Sequence, residues 1–297
     1  MSTSSAPSRR AFAFKELLVV LVLLAFLGGI MFPAIQRLRE SSRQNNCVQN
    51  LTQIGVGLAS YSASFNHFPA GSINPTGPIR NEPSGFHHNW IGAILPSLDY
   101  PAVHAMIDPS VSVYAVENAD AMQTQLPVLR CPSATTVVDK ASNYAGVHHP
   151  TETPIDEDNL GMLILNRTLS VEDVPDGLGA TLLVGEKLDD DPQNLGWLSG
   201  TRATLRNLGH PLGSGASPLA EGEEISELFV GGFASEHPSG VNFLHGDGSV
   251  RVMAPTTDSR VLTQLADRRD SPDVSVGPSP AGSSPAGSRP ESAATGS

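Results

Sequence analysis

The stretch that decides the fold covers residues 9–35 and reads RRAFAFKELLVVLVLLAFLGGIMFPAI. Roughly 20 apolar residues, each rising about 1.5 Å in a helix, cross a hydrocarbon core about 30 Å thick. The sequence therefore predicts a membrane-spanning helix over about residues 12–35. Glu16 is the only carboxylate in this run. It either marks the start of the span at Leu17 or is a functional group that needs a partner at that depth.

A twin-arginine export signal is one interpretation of this N-terminus, since residues 8–15 read SRRAFAFK. Such a signal ends in a small-residue cleavage site after its apolar region. Here the apolar run instead continues through FPAIQR, at residues 32–37, into an amphipathic helix. The continuation favours an interpretation in which the apolar run is kept.

The second interpretation is carried by a short basic leader, the small residue Ala11, the aromatic Phe12, and Glu16 as the fifth residue from Phe12. This arrangement resembles the N-terminus of type IV prepilins, although Ala11 stands where prepilins usually have Gly. The resemblance implies cleavage between Ala11 and Phe12 by a prepilin peptidase, methylation of the new N-terminus, and a helix kink at Pro33. It also implies that Glu16 pairs with the N-terminal ammonium of a neighbouring subunit during assembly.

Downstream of the apolar run, the helical spacing continues to about residue 66. Its apolar positions are Ile35, Leu38, Val48, Leu51, Ile54 and Leu58. This stripe needs a partner, and the simplest one is the sheet that follows. The stop FPAG at residues 68–71 ends the helix.

The rest of the chain predicts short strands near residues 142–147, 160–166 and 181–186, and a hairpin over residues 241–253. Asp247-Gly248 supplies the turn of the hairpin. We therefore expect a prepilin leader at 1–11, an N-terminal helix at 12–66 and an extracytoplasmic α+β domain at 67–268. Residues 269–297 are rich in Ser, Pro, Gly and Ala, which predicts a disordered tail.

The charge of the chain argues against nucleic acid as a partner. The 297 residues carry a net charge of −12, whereas a nucleic-acid-binding protein needs a basic face. We expect no nucleic-acid partner.

The two cysteines, Cys47 and Cys131, form either one disulfide or a pair of buried thiols, and a compartment outside the cytoplasm permits the disulfide.

A set of short blocks carries a second resemblance. His237 is followed after nine residues by Asp247-Gly248. The other blocks are CVQNLTQIG at 47–55, FPAG at 68–71, WIGAILP at 90–96, CPS at 131–133, SNYAGV at 142–147, and DG at 176–177 with LLVGE at 182–186. Together they resemble a large bacterial family, abundant in planctomycetes, that joins a prepilin-type N-terminus to the domain of unknown function number 1559. The resemblance covers residues 9–253 and implies a pilin-like α+β fold: a long N-terminal transmembrane helix packed on an antiparallel sheet.

The sequence gives little indication of a metal site or a catalytic site. His237, Asp247 and His245 could bind a metal, but a tight hairpin favours Asp at its turn, and a metal site needs three or four converging ligands. The acidic runs at 156–158 and 189–191 fit solvated surface better than a calcium site. The sequence contains no G-x-S-x-G, phosphate-binding glycine loop or H-E-x-x-H. We expect no metal, no cofactor, no catalytic residue and no enzymatic activity.

These observations predict a pilin- or pseudopilin-like structural protein. It would be a single-pass protein of the cytoplasmic membrane, with a cytoplasmic N-terminus and a periplasmic or extracellular domain. Its partners would be the prepilin peptidase, the membrane and pilin-like subunits of an envelope filament or a type II secretion-like apparatus. The alternative is a non-assembling, membrane-anchored domain that binds a ligand through loops between residues 71 and 228.

Overall fold

The structure is a computed structural model and describes residues 14–135, 140–213 and 225–269. Several predictions concern residues outside this part: the leader at 1–11, the cleavage residues Ala11 and Phe12, and the tail from residue 270 onward. The side chains of Glu16 and Pro33 are also outside it.

The longest element is helix α1, Phe14–Phe65, which runs for 52 residues and passes position 33 without a break in helical structure. Its buried apolar residues recur every three or four positions, at Cys47, Leu51, Ile54 and Leu58, so they form one face that packs on the domain. The helix ends where Asn66 adopts a left-handed conformation, with φ of 63°, and its N–H bonds to the carbonyl of Ser62.

The remaining elements are short. The strands are β1 (Ser72–Ile73), β2 (His88–Asn89), β3 (Tyr144–His149), β4 (Leu182–Glu186), β5 (Leu205–Asn207), β6 (Val241–His245) and β7 (Val250–Met253). The helices are α2 (Trp90–Ile94), α3 (Pro101–His104), α4 (Ala119–Gln123) and α5 (Ser259–Ala266). Single 3₁₀ turns cover Leu95–Leu98, Val116–Asn118, Pro127–Leu129, Val171–Asp173 and Leu178–Ala180.

The main sheet has the strand order β5-β3-β4-β6-β7. All its pairs are antiparallel except β3 with β5, so the sheet is mixed. The predicted antiparallel sheet is confirmed for β3, β4, β6 and β7, whereas the parallel strand β5 was not predicted. A parallel pair needs a long crossover connection. Residues 150–204, which include β4, lie between β3 and β5 in the chain and provide it.

The sheet lies between α1 and α5, as its alternating side chains indicate. On β6, Leu244 belongs to the core cluster that contains Leu51 and Ile54 of α1. Its neighbour Phe243 belongs to the opposite cluster, together with Leu262 of α5. Strands β4 and β6 are therefore buried on both faces, which explains their nearly unbroken apolar sequences. The fold is α+β, as predicted.

Of two local predictions, one is confirmed and the other is wrong. The hairpin is confirmed: β6 and β7 pair in register around a turn in which Gly248 has a φ of 86°. The strand predicted at 160–166 is wrong, because that segment makes only isolated bridges, such as Ser72 with Leu165.

No helix in residues 14–135, 140–213 or 225–269 combines the length and the apolar character needed to cross a membrane. The membrane span predicted over about residues 12–35 stays a prediction.

Candidate functional site

A disulfide joins Cys47 of α1 to Cys131, with the two Cα atoms 5.5 Å apart. Of the two alternatives for the cysteines, the structure has the disulfide. Hydrogen bonds hold the Cys131 end: Asn143 Oδ1 accepts from the Cys131 N–H at 3.0 Å, and Asn50 Nδ2 of α1 donates to the Arg130 carbonyl at 2.9 Å. The disulfide therefore fixes α1 against the segment that precedes β3.

His237 lies beside this disulfide and is buried. Its Nδ1 is 2.6 Å from Glu40 Oε1. Its Nε2 is 3.5 Å from Cys131 Sγ and 3.6 Å from Glu186 Oε1. The imidazole thus occupies the space between two carboxylates and the disulfide, where α1, β4 and the loop before β6 meet.

Glu186 is the last residue of β4, and only 2% of its surface is exposed. Its carboxylate accepts hydrogen bonds from the backbone N–H of Asn242 at 2.9 Å and from the Asn242 side-chain amide at 3.0 and 3.1 Å. Burial raises the pKa of Glu186 above its usual value, although the bonds from Asn242 and the nearby His237 act against the rise. A carboxylate at this depth needs such partners to remain charged.

Glu40 reaches the same site from α1 and is partly exposed. It accepts hydrogen bonds from Arg43 Nε at 2.9 Å and from Ser133 Oγ at 3.2 Å, besides its contact with His237. Partial burial raises the pKa of Glu40, but the hydrogen bonds from His237 and Arg43 outweigh burial and hold it below its usual value. Glu40 is therefore a carboxylate at neutral pH.

The two halves of the His-x9-Asp-Gly signature lie at opposite ends of β6. Asp247 is exposed in the β6–β7 turn, where its Oδ1 accepts from the Ser249 N–H at 2.9 Å. The side chain and backbone N–H of Ser249 lower the pKa of Asp247. The structure thus does not bring His237 and Asp247 together: one joins the disulfide site and the other forms the turn.

A model of the family described as "Protein of unknown function (DUF1559)" matches residues 36–260, about three quarters of the chain. The chain belongs to the DUF1559 family. This confirms the second resemblance drawn from the sequence. No curated protein and no solved structure matches the chain. The family match begins after residue 35, so the prepilin interpretation of residues 9–35 stays a prediction.

Sequence reasoning missed Glu40 and Glu186 as partners of His237 in this DUF1559 domain. A signal existed for each. Glu40 lies seven residues before Cys47, which is two helical turns on the same face of α1. Glu186 ends the apolar run LLVGE, and a carboxylate at the end of a buried strand is unusual enough to mark a site.

The acidic run at 189–191 also differs from its prediction as solvated surface. Asp189 and Asp191 are buried, and Asp191 pairs with Arg202 at 2.7 Å in an ion pair that is 1% exposed on both sides. The adjacent Lys187 is buried as well, and burial lowers its pKa to about 8. Only Asp190 of the run is exposed. These residues stabilise the chain between β4 and β5.

One apolar cleft of about 370 Å³ opens on the domain. It lies between β2, α2 and α3, and its lining includes Ile73, Phe86, His88, Gly92, His104 and Ile107. Pockets that hold small molecules have about 300–1,000 Å³ and mostly apolar walls with a few polar groups. The cleft is large enough for a small ligand.

Proposed function

We propose that this DUF1559 protein is a pilin-like structural subunit. Its N-terminal helix holds it in the cytoplasmic membrane and then assembles it into an envelope filament or a type II secretion-like apparatus. The observation that carries the proposal is the contrast between the two halves of α1. Leu51, Ile54 and Leu58 are fully buried in the domain. Toward the N-terminus, Leu24, Phe26 and Phe32 are 59%, 66% and 66% exposed.

The exposed half of α1 needs an apolar environment. Large exposed apolar side chains continue there from Leu17 to Ile35, and each Å² of apolar surface removed from water stabilises the protein by about 25 cal/mol. Soluble monomers rarely leave such a continuous patch uncovered. A lipid bilayer before assembly, and the helices of like subunits after it, would both cover the surface.

The joint between helix and domain suits a subunit that transmits force. Cys47 and Glu40 lie where α1 enters the domain, and both are tied to other segments, by the disulfide and by His237. A helix held in this way moves with its domain as one body. The disulfide also fits a domain outside the cytoplasm, where disulfides persist.

Prepilin-type processing belongs to the proposal. The peptidase would cut between Ala11 and Phe12, and the new N-terminal ammonium would pair with Glu16 of a neighbouring subunit. A buried charge would then find its partner only on assembly.

Mass spectrometry of the mature N-terminus, followed by fractionation of a Glu16→Ala variant, tests the proposal. We expect the chain to begin at Phe12, and Glu16→Ala to insert into the membrane but to be missing from sheared filaments or assembled complexes. Glu117→Ala is the control, since Glu117 is exposed in the domain. An intact Met1, or normal assembly of Glu16→Ala, would contradict the proposal.

The cleft beside α2 favours a second candidate, a non-assembling anchored domain that binds a small ligand. Native mass spectrometry of the purified chain separates the two candidates. A small molecule that co-purifies with the wild type, and is lost when Gly92→Leu fills the cleft, would support binding, provided that no assembly forms in cells. Neither candidate assigns an enzymatic activity to the chain.

A further inference from the structure

We propose that, once the Cys47–Cys131 disulfide is reduced, Cys47, Cys131, His237 and Glu186 bind one zinc ion. This inference is independent of filament assembly. The sequence-based expectation of no metal considered Asp247 and His245 as the partners of His237. The structure surrounds His237 with different groups, and three of them, Cys47, Cys131 and Glu186, carry atoms of the kinds that bind zinc.

The four donor atoms lie close to one another. One sulfur from each cysteine, a nitrogen of His237 and an oxygen of Glu186 all lie within 4.8 Å of one another. In a tetrahedral zinc site the bonds are about 2.0–2.3 Å long, so neighbouring donor atoms are about 3.3–3.8 Å apart. His237 Nε2 already lies 3.5 Å from Cys131 Sγ and 3.6 Å from Glu186 Oε1. The two sulfurs need only separate from bonding distance to complete the tetrahedron.

The donors are of the types that zinc binds, and most of them are buried. Thiolate, imidazole and carboxylate are the ligands that zinc takes in proteins, and four protein ligands make a closed, structural site. Cys47, Glu186 and His237 are buried, so water does not compete freely for the ion. A divalent cation would also offset the charge of the Glu186 carboxylate and the two thiolates.

Hydrogen bonds from surrounding residues orient two of the donors. A zinc-bound histidine commonly directs its other ring nitrogen at a carboxylate, and a ligating carboxylate is itself hydrogen-bonded. His237 Nδ1 lies 2.6 Å from Glu40 Oε1 and so leaves Nε2 to face the sulfurs. The amide and backbone N–H of Asn242 hold Glu186. Both ligands are therefore oriented before any ion arrives.

The disulfide is converted into the zinc site in two steps, reduction of the disulfide and binding of the ion. A dithiol reduces the disulfide by thiol–disulfide exchange: it gives up two electrons and two protons, becomes a disulfide itself, and leaves two thiols on the protein. The zinc ion then displaces one proton from each thiol and forms two zinc–sulfur bonds. Oxidation of the thiolates by another disulfide releases the ion and restores the Cys47–Cys131 bond.

Zinc would attach α1 to more segments of the domain than the disulfide does. The disulfide ties α1 to the Cys131 segment alone, whereas zinc would also tie both segments to β4 through Glu186 and to the loop before β6 through His237. The helix would thus remain fixed to the domain in either redox state. Loss of the disulfide would not by itself free the helix.

Zinc titration of the full chain tests the proposal. The chain is reduced with a phosphine, which takes up the oxygen of one water molecule while the disulfide becomes two thiols, and is stripped with a chelator. We expect one zinc per reduced chain and none per oxidised chain. Cobalt(II) in place of zinc should give thiolate-to-cobalt charge-transfer absorption and the intense visible bands of tetrahedral cobalt. A reduced chain that binds no zinc would overturn the proposal.

X-ray absorption on the reduced, zinc-loaded wild type identifies the ligands without any variant. Two sulfurs at about 2.3 Å and two nitrogen or oxygen neighbours at about 2.0–2.2 Å are expected. A shell without sulfur, or with more than two sulfurs, would place the ion elsewhere and overturn the assignment.

Variants then assign the individual residues. Cys47→Ser, Cys131→Ser and His237→Ala should each abolish stoichiometric binding, whereas Glu40→Gln should weaken it about 10–100-fold by releasing the imidazole. His104→Ala is the matched control, because His104 is exposed and lies outside the cluster. Circular dichroism shows which variants have folded. A folded His237→Ala chain that keeps wild-type affinity would contradict the proposal.

Discussion

His237 Nδ1 lies 2.6 Å from Glu40 Oε1, and this contact joins residues 197 positions apart in the chain. It connects the loop before β6 to α1 at the point where the helix enters the domain. The same imidazole lies within 3.6 Å of Cys131 and Glu186. One side chain thus brings together the helix, the disulfide and the central strand β4.

Glu40→Gln should lower the free energy of unfolding by about 1 kcal/mol at pH 7, because the charge-assisted bonds to His237 and Arg43 weaken while solvent screens part of the loss. These bonds hold the pKa of Glu40 below 4.5 in the folded chain. The stabilisation is therefore present above the unfolded pKa and is lost as the pH falls through the folded pKa.

Urea unfolding of both chains at pH 7 and at pH 3 measures this effect. The gap between wild type and Glu40→Gln should narrow at pH 3. Glu117→Gln, on an exposed residue of the domain, should behave as the wild type at both values. An equal gap at the two pH values would contradict the charged role of Glu40.

Removing the disulfide should cost more. The two cysteines are 84 positions apart, and a loop of that length restricts the unfolded chain by about 4.5 kcal/mol in the chain-entropy model. Cys131→Ser should lower the free energy of unfolding by 2–5 kcal/mol. Adding Cys47→Ser to it should change little further. Unfolding in a metal-free buffer with a chelator measures both, and a single variant as stable as the wild type would show that the bond does not form.

The features that could be predicted from the sequence are local. Asp247-Gly248 makes its own turn between β6 and β7, and the spacing of Leu51, Ile54 and Leu58 along one helix places them on one face. Neither inference needs knowledge of distant residues.

The sequence marks Glu40 and Glu186 as unusual positions, but it could not predict that they meet at His237, since Glu40, Cys131 and Glu186 come from three separate segments of the chain. No short-range pattern brings such segments together; the packing of α1 on the sheet does. The failed strand at 160–166 has a related cause. Residues 162–165 are buried, but they pack against the segment at 68–72, and burial alone does not separate a strand from a packed loop.

Gly71→Ala should destabilise the domain by about 1–3 kcal/mol or more. A methyl group at Gly71 would overlap the backbone of Leu163 and would lie 2.7 Å from the Ile164 nitrogen, and backbone cannot move aside as a side chain can. Gly29→Ala is the matched control, because a methyl group at Gly29 meets nothing within 4 Å. Thermal unfolding compares the two. Equal melting temperatures would show that the contact of the loop at 68–72 with Leu163 is loose.

His148 should make stability fall in acid. It is fully buried in β3, and Asn159 Oδ1 lies 2.9 Å from its Nδ1. Burial lowers the pKa of His148 to about 3, against the pull of the Asn159 bond. Between about pH 6.5 and 3 the unfolded chain therefore binds a proton that the folded chain does not, so stability is complete above pH 6.5 and declines as the pH falls.

The measurement is the slope of unfolding free energy against pH from 6 to 4. One such proton contributes up to about 1.4 kcal/mol per pH unit. His148→Gln should remove that part of the slope, whatever it does to stability at pH 7. His87, whose pKa burial lowers to about 4, should keep part of the slope in the variant. An unaltered slope in His148→Gln would show that His148 is accessible to protons.

The two residues of the His-x9-Asp-Gly signature should act independently. Strand β6 separates them, and five strand residues extend roughly 16 Å. Asp247→Ala should cost about 1 kcal/mol by removing the acceptor of the Ser249 N–H. His237→Ala should cost about 1–3 kcal/mol, because it removes the hydrogen-bond partner of Glu40 and the imidazole that lies 3.6 Å from the buried Glu186 carboxylate. Sites this far apart add within about 0.3–0.5 kcal/mol, so the double variant should lose the sum of the two. A coupling of more than about 0.5 kcal/mol in this double-mutant cycle would mean that His237 and Asp247 form one site. The assignment of Asp247 to the turn and of His237 to the contact between α1 and the domain would then be wrong.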